Sequence, residues 1–290
     1  MGTGRPAIAG GNLPDAEWRL RGMRFLVVLM LMALVGGACG SDTGDEPEPT
    51  VPEGTPGDVI LEISDEGGFV PVEFNLSRVP RFTVFADGTV VMPGGRQFVF
   101  PGPALSPLVQ TELDAETLAD MLTFIEDLGL ADIDSVDINN ATNVADASTT
   151  VVRYFDASGE HRISIYALGF DGTSSDARPA IVESMISRLD QATGGDDADP
   201  YEAERVVVFA QVAQGLDPQQ LNPAGPWPFD FDRSDSTSEV AGFWCLTVEG
   251  DVARAVTEVL DDADAMTTWA LDGAAHRVIG RPLLPHQDGC

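Results

Sequence analysis

The chain has 290 residues, 16 arginines, no lysine and 47 acidic residues, for a net charge of −31 at pH 7. A surface of that sign cannot displace counterions from a phosphate backbone, which argues against nucleic acid as a partner. The missing lysine excludes phosphate-binding loops of the Gly-x-x-x-x-Gly-Lys type, Schiff-base chemistry and the Ser-x-x-Lys nucleophile.

Met23 to Cys39 sets the address of the rest of the chain. Phe25–Val35 is an apolar run of eleven residues, suited to a signal-peptide core of roughly 7–15 residues and short of the roughly 20 that cross a bilayer. Arg19, Arg21 and Arg24 supply the basic flank. Residues 1–38 therefore read as an export signal. Gly36-Gly37-Ala38-Cys39 resembles the lipobox of bacterial lipoproteins, although Gly36 stands where that motif usually has a larger apolar residue. The resemblance implies acylation of Cys39 and a place at the extracytoplasmic face of the cell membrane, held by the lipid anchor. Ordinary secretion, with Gly36 and Ala38 read by a signal peptidase, and a retained membrane anchor are the alternatives. Residues 1–38 hold four arginines and two acids, so the chain from Cys39 onward carries 12 arginines against 45 acids, a net −33. Such a field repels anionic headgroups, leaving membrane contact to the acyl chains.

Of three cysteines, Cys245 and Cys290 remain once Cys39 is lipidated, and in an oxidising compartment two remaining thiols are most simply one disulfide. It would fasten the last residue of the chain.

Residues 39–57 form the lipidated N-terminus and an acidic, proline-rich tether with little to bury. A first domain is expected over 58–193. VILEIS gives its first strand, ended by Gly67 and Gly68. RFTVFADGTVVM gives a hairpin on Asp87-Gly88, expected as a type I′ turn. A helix occupies 115–128, capped by Asp114 and stopped by Gly129, with Leu118, Met121, Leu122, Ile125 and Leu128 on one face. A second hairpin, 149–155 and 161–168, alternates Ile163, Ile165 and Ala167 against Arg162, Ser164 and Tyr166. Pro179 opens a helix carrying Ile181, Val182, Met185, Ile186 and Leu189. Residues 194–200 read as a linker. The second domain, 201–290, has strands at 205–212, 243–248, 267–271 and 276–283, a helix at 252–260 and a turn at Asp272-Gly273. The fold class is α+β: two units, each an antiparallel sheet of hairpins with amphipathic helices on one face.

Gly67-Gly68-Phe69-Val70-Pro71, Tyr166-Ala167-Leu168-Gly169, Trp227-Pro228, Cys245, Trp269 and the closing Arg281-Pro282-Leu283-Leu284-Pro285 with Cys290 resemble a group of lipoproteins from high-GC Gram-positive bacteria. The group implies the address and no activity.

Catalytic signals are sparse. His161, His276 and His286 lack zinc-ligand spacing, and His161 and His276, each beside an arginine, are expected at the surface. There is no Gly-x-Ser-x-Gly elbow. Asp132, Asp134, Asp137, Asn139 and Asn140, and Asp230, Asp232, Asp235 and Glu239, are calcium-like in composition but miss the EF-hand pattern. Trp227, beside proline, is expected to plug a core end. The sequence thus leads to a non-enzymatic envelope module, with no cofactor or metal, that binds a protein or wall component. A secreted hydrolase with a carboxylate-based site and a calcium-stabilised adhesion or sensor domain stand as alternatives.

Overall fold

Strand formers between turn residues dominate the chain beyond position 57, and the structure, a computed structural model, follows that pattern. It describes residues 58–95, 101–141, 143–170, 172, 174–194, 198–215, 217, 219, 221–229, 238–240 and 242–290. Eight strands make the first sheet: β1 (Val59–Gly67), β2 (Phe82–Phe85), β3 (Thr89–Pro93), β4 (Leu108–Glu112), β5 (Ser135–Asn139), β6 (Ser148–Asp156), β7 (Gly159–Tyr166) and the short β8 (Asp199–Pro200). Their order is β5-β7-β6-β1-β2-β3-β4-β8. A six-stranded sheet comprises β9 (Arg205–Val212), β10 (Asn222–Pro226), β11 (Ser238–Val240), β12 (Phe243–Glu249), β13 (Thr267–Leu271) and β14 (Ala274–Leu283), in the order β10-β13-β14-β9-β12-β11. The helices are α1 (Val72–Ser77), α2 (Ala115–Leu128), α3 (Arg178–Thr193) and α4 (Gly250–Asp261).

The class is mixed α+β with two sheets, but the sheets are not purely antiparallel. β5 pairs parallel with β7, and β10 with β13, each at a sheet edge. β6 runs back between β5 and β7 in sequence, so β5 and β7 point the same way. A longer crossover through β11, β12 and α4 does the same for β10 and β13.

Helices α2 and α3 cover one face of the first sheet. Leu61, Ile63, Val84, Val152, Ile163 and Ile165 meet Met121, Ile125, Leu128, Val182, Met185 and Leu189 in one buried cluster. At about 1.5–3 kcal/mol per buried aliphatic side chain, this cluster is the main stabilising term of the layer. The ends of α2 match the sequence signals: Asp114 Oδ1 accepts from Thr117 N–H at 2.7 Å, and Gly129 takes φ 65° beyond the last turn. On the second sheet, Ala253, Val256 and Leu260 of α4 pack on Val206, Val208, Ala210 and Val278, with Trp227 and Trp269 edge-to-face at 5.2 Å closing the end of that core. Its opposite face buries Val207, Phe209, Phe243, Cys245, Ile279 and Leu283 under Leu76 of α1.

The halves of the chain exchange segments. Ala104 and Leu105 lie in the core under α4, where Gly280 N–H donates to the Ala104 carbonyl at 2.8 Å. That approach needs glycine, because a Cβ on Gly280 would stand 2.6 Å from Leu105 Cδ1 and 2.8 Å from Leu260 Cδ1. In return Leu284, just past β14, packs among Phe85, Val91 and Leu108 of the first sheet and Val79 of the segment before β2. All described residues belong to one compact unit.

The turn at Asp87-Gly88 differs from expectation. Gly88 has φ 88° while Asp87 is not left-handed, and Gly88 N–H donates to the Phe85 carbonyl at 3.0 Å. The loop is a type I turn with a left-handed glycine after it, in which Asp87 Oδ1 accepts from Thr89 N–H at 3.0 Å. The I′ geometry is found instead at Asp272-Gly273, with φ 52° and 76° between the paired Leu271 and Ala274.

Candidate functional site

Cys39 lies outside the described residues. The other two cysteines are joined: Cys245 and Cys290 form a disulfide across a sequence separation of 45. Cys245 is on β12, facing the core, and the bridge holds the end of a strap formed by residues 284–290. Arg205 donates from Nη2 to the carbonyls of Leu284, Pro285 and Gln287 at 3.3, 3.1 and 2.7 Å. Cys290 N–H donates to Thr247 Oγ1 at 3.1 Å.

The strap reaches a buried charge on β1. Glu62, 5% exposed, accepts from His286 Nε2 at 2.8 Å and Gln287 Nε2 at 3.1 Å on one oxygen, and from Arg153 Nη1 at 2.9 Å on the other. Burial alone would raise its pKa, but the bonds and charges of His286, Arg153 and Gln287 outweigh it and hold the carboxyl below its ordinary value. Arg153 also donates to Ser64 Oγ and, at 2.6 Å, to Glu66. Arg281 of β14 has its pKa lowered by burial, an effect that the charge of Glu62 offsets only in part. No motif announces this cluster. Its one signal in the sequence is the single acid in the apolar run VILEIS, at the parity opposite Leu61 and Ile63.

The histidines correct expectation. His161 is 6% exposed and His276 is fully buried. His161 shares the parity of Ile163 and Ile165 on β7, which outweighs the polar neighbour Arg162. His276 sits opposite Trp269 on the neighbouring strand and 5.1 Å from the Trp244 ring. His161 lies in a group with the composition of a hydrolytic triad. Ser158 Oγ is 3.0 Å from His161 Nε2, Asp156 Oδ1 is 3.2 Å from the same nitrogen, and Nδ1 is 2.6 Å from the Ile133 carbonyl. A proton relay needs the acid on the nitrogen remote from the serine. Here acid and serine share one nitrogen, and Ser158 Oγ donates to Asp156 at 2.6 Å. The Ser158 hydroxyl, with its backbone N–H and His161, holds Asp156 at a pKa of about 2. The Ile133 carbonyl, then Asp156, raises His161 above its usual value. The group caps the β6–β7 turn.

Among the described residues no three His, Cys, Asp or Glu side chains converge to hold a metal. Of the first calcium-like cluster, Asp137 is on β5 and Asn140 is turned to the β7–α3 loop, donating to the carbonyls of Ala167 and Phe170. Asp230, Asp232 and Asp235 lie outside the described residues, as does the Glu239 side chain. Trp227 is 8% exposed and fills a core end, as expected.

One surface region combines a cavity with exposed apolar side chains. Two openings of about 410 and 280 Å³ share Asp65, Arg81 and Asp190 and so form one furrow between α3 and the ends of β1, β2, β3 and β6. Met92 and Thr193 lie toward one end, with Ser148, Leu168, Gly169 and Glu183 toward the other. Arg81 and Asp190 pair across it at 2.6 Å. Asp65 Oδ1 accepts from Thr150 at 2.8 Å, and Glu183 Oε1 accepts from Gly169 N–H at 3.1 Å. The Gly67–Val70 loop stands beside Ser148: Gly68 packs on that residue, and Phe69 N–H donates to the Asp146 carbonyl at 3.1 Å. Phe69 is 89% exposed, Phe74 on α1 52% and Phe170, next to Gly169, 51%. The two glycine-containing motifs of the first half, 67–71 and 166–169, thus meet at one end of the sheet.

No protein family, curated protein or solved structure matches this chain. Among the described residues no helix is long and apolar enough to cross a membrane.

Proposed function

We propose that this chain is a lipoprotein, exported by residues 1–38, acylated on Cys39 and held at the extracytoplasmic face of the cell membrane, where its body is a non-enzymatic module that binds another envelope protein or a wall component. The lipobox-like Gly36–Cys39 supports the address, and so does cysteine pairing, since the Cys245–Cys290 bridge leaves Cys39 as the one thiol available for acylation. The binding role rests on the exposure of Phe69, a large apolar side chain on a loop tied down at both its glycines and its backbone. Water-exposed phenylalanines on loops that adjoin a furrow mark a surface that gains by being covered.

Cys39→Ser tests the address, with release from the membrane fraction expected. Crosslinking in intact cells tests the role, with an envelope component expected to be captured by wild type and lost on Phe69→Ser. Turnover of ester, peptide or glycoside substrates by the purified protein would replace the binding role with that of a secreted hydrolase. A rise in melting temperature at millimolar calcium would replace it with a calcium-stabilised adhesion or sensor domain.

A further inference from the structure

We infer that the furrow between α3 and the β1–β2–β3 strand ends, with Phe69 and Phe170 on loops that adjoin its Ser148–Gly169 end, receives an extended basic segment of a partner polypeptide, Arg or Lys side chains entering the furrow and apolar side chains lying on the two phenylalanines. The inference rests on the binding role proposed above and specifies the chemistry of the partner.

Charge decides the sign of the occupant. Asp65, Glu183 and Asp190 face one guanidinium, Arg81, which Asp190 already neutralises. Among the described residues the other two carboxylates each accept from one local neutral donor, Thr150 or Gly169 N–H, and neither is ion-paired there. They sit on different elements, strand β1 and helix α3, and among the described residues no third His, Cys, Asp or Glu converges with them to hold a metal ion. A point ion would be under-coordinated, whereas side chains with several N–H donors on flexible stems can satisfy both. The walls suit those stems: Leu168 and Ile186 line the furrow at the Glu183 end, and Phe82 and Met92 at the other. Arginine and lysine bury their methylenes on such surface while the charged head reaches a carboxylate, and an aromatic face on an adjoining loop attracts the same cations. Arg78 already shows this pairing on the adjacent loop, its guanidinium 5.0 Å from the Phe74 ring centre.

A bilayer is the competing occupant for exposed phenylalanines, and charge opposes it. Phe69 rises from a strand end carrying Asp65 and Glu66, in a chain whose net charge from Cys39 onward, −33, repels anionic headgroups. The same field accelerates the approach of a basic segment and is screened by salt.

The test uses the full chain in non-ionic detergent micelles. The probe is a short fluorescein-labelled peptide of alternating leucine and arginine, with a leucine–glutamate peptide as control, read by fluorescence polarisation. The arginine peptide should bind and the glutamate peptide should not. Asp65→Asn with Glu183→Gln should weaken binding about tenfold or more, and Phe69→Ser with Phe170→Ser should do likewise. Asp251→Asn with Glu258→Gln, which removes as much charge from α4, should change it less than about twofold. Equal weakening by the α4 pair, no peptide binding, or binding to phosphatidylcholine vesicles through Phe69 in place of the peptide would each overturn the inference. A chain that ignores the peptide but still crosslinks to an envelope component keeps its binding role and loses only this partner chemistry. A chain found in the cytosol with Cys39 unmodified loses the role itself.

Discussion

Replacing Cys290 by serine removes one covalent link and little else, because the residue is exposed at the chain end while Cys245 is 2% exposed in the core. The bridge spans 45 residues. In the loop-closure model a link of that span takes about 13 cal/mol/K from the unfolded chain, or about 4 kcal/mol at 25 °C. For a unit of this size each kcal/mol moves the midpoint by roughly 2–4 °C, so Cys290→Ser should lower the melting temperature by about 8–16 °C. Urea unfolding monitored by circular dichroism gives the free energy directly. The folded strap should persist in the variant, since Leu284, His286 and Gln287 keep their contacts, so any change in the slope against urea should be an increase, from the less compact unfolded chain. Deleting residues 285–290 should cost more than Cys290→Ser, because it also strips His286 and Gln287 from Glu62. Cys245→Ser should likewise be the worse of the two single variants, placing a hydroxyl among Phe243, Ile279 and Leu283. If Cys290→Ser falls within about 1 kcal/mol of the parent, the bridge does not constrain the unfolded chain and the reasoning fails.

Glu62→Ala should lose about 3 kcal/mol in urea titration, the low end for breaking a buried pair, because Arg153 retains Glu66 and Glu160. The Glu62 carboxyl sits below its ordinary 4.5 in the folded state, so its contribution is complete above that pH and is lost as pH falls through the folded value. Glu62→Gln should flatten stability over that acid range, and an unchanged acid limb would count against the cluster. His161 should titrate above 6.5 by NMR, and its contribution to stability should be present below pH 6.5 and disappear as pH rises through the folded value. A histidine signal titrating at or below 6.5 would contradict the Ile133 contact. Gly280→Ala should destabilise by about 1–3 kcal/mol through overpacking against Leu105 and Leu260. Leu105→Ala in the same chain should recover part of that loss, whereas additive effects would place the conflict elsewhere.

Local signals in the sequence carried most of the elements. The caps of α2, Pro179 in the first turn of α3, the hairpin β6–β7 and the Asp272-Gly273 turn depend on residues within a few positions of one another, and each lies where its residues point. What was not legible depends on distant partners. β5 has the exposed, polar text of a loop, SVDIN, and is a strand because β7 offers it an edge. α1 is six residues long with no buried side chain of its own, too short to announce itself by periodicity. His276 reads as a surface residue until its cross-strand partner Trp269 is known. The furrow joins side chains from Asp65 to Asp190, and no spacing rule spans that separation. Only its flanking glycine motifs stood out in the text, without a hint that they share one end of a sheet.

The strap ties the first strand of the fold to the end of the chain: Glu62 and His286 are 224 positions apart. During vectorial synthesis Glu62 emerges 224 positions ahead of His286, so β1 waits that long for its cover. Contacts of such long range also slow folding, since the loop must close before they reward it. A polypeptide built this way keeps its central strand uncovered through a long stretch of its synthesis, a delay that suits the proposed export of a chain threaded through a membrane before it folds.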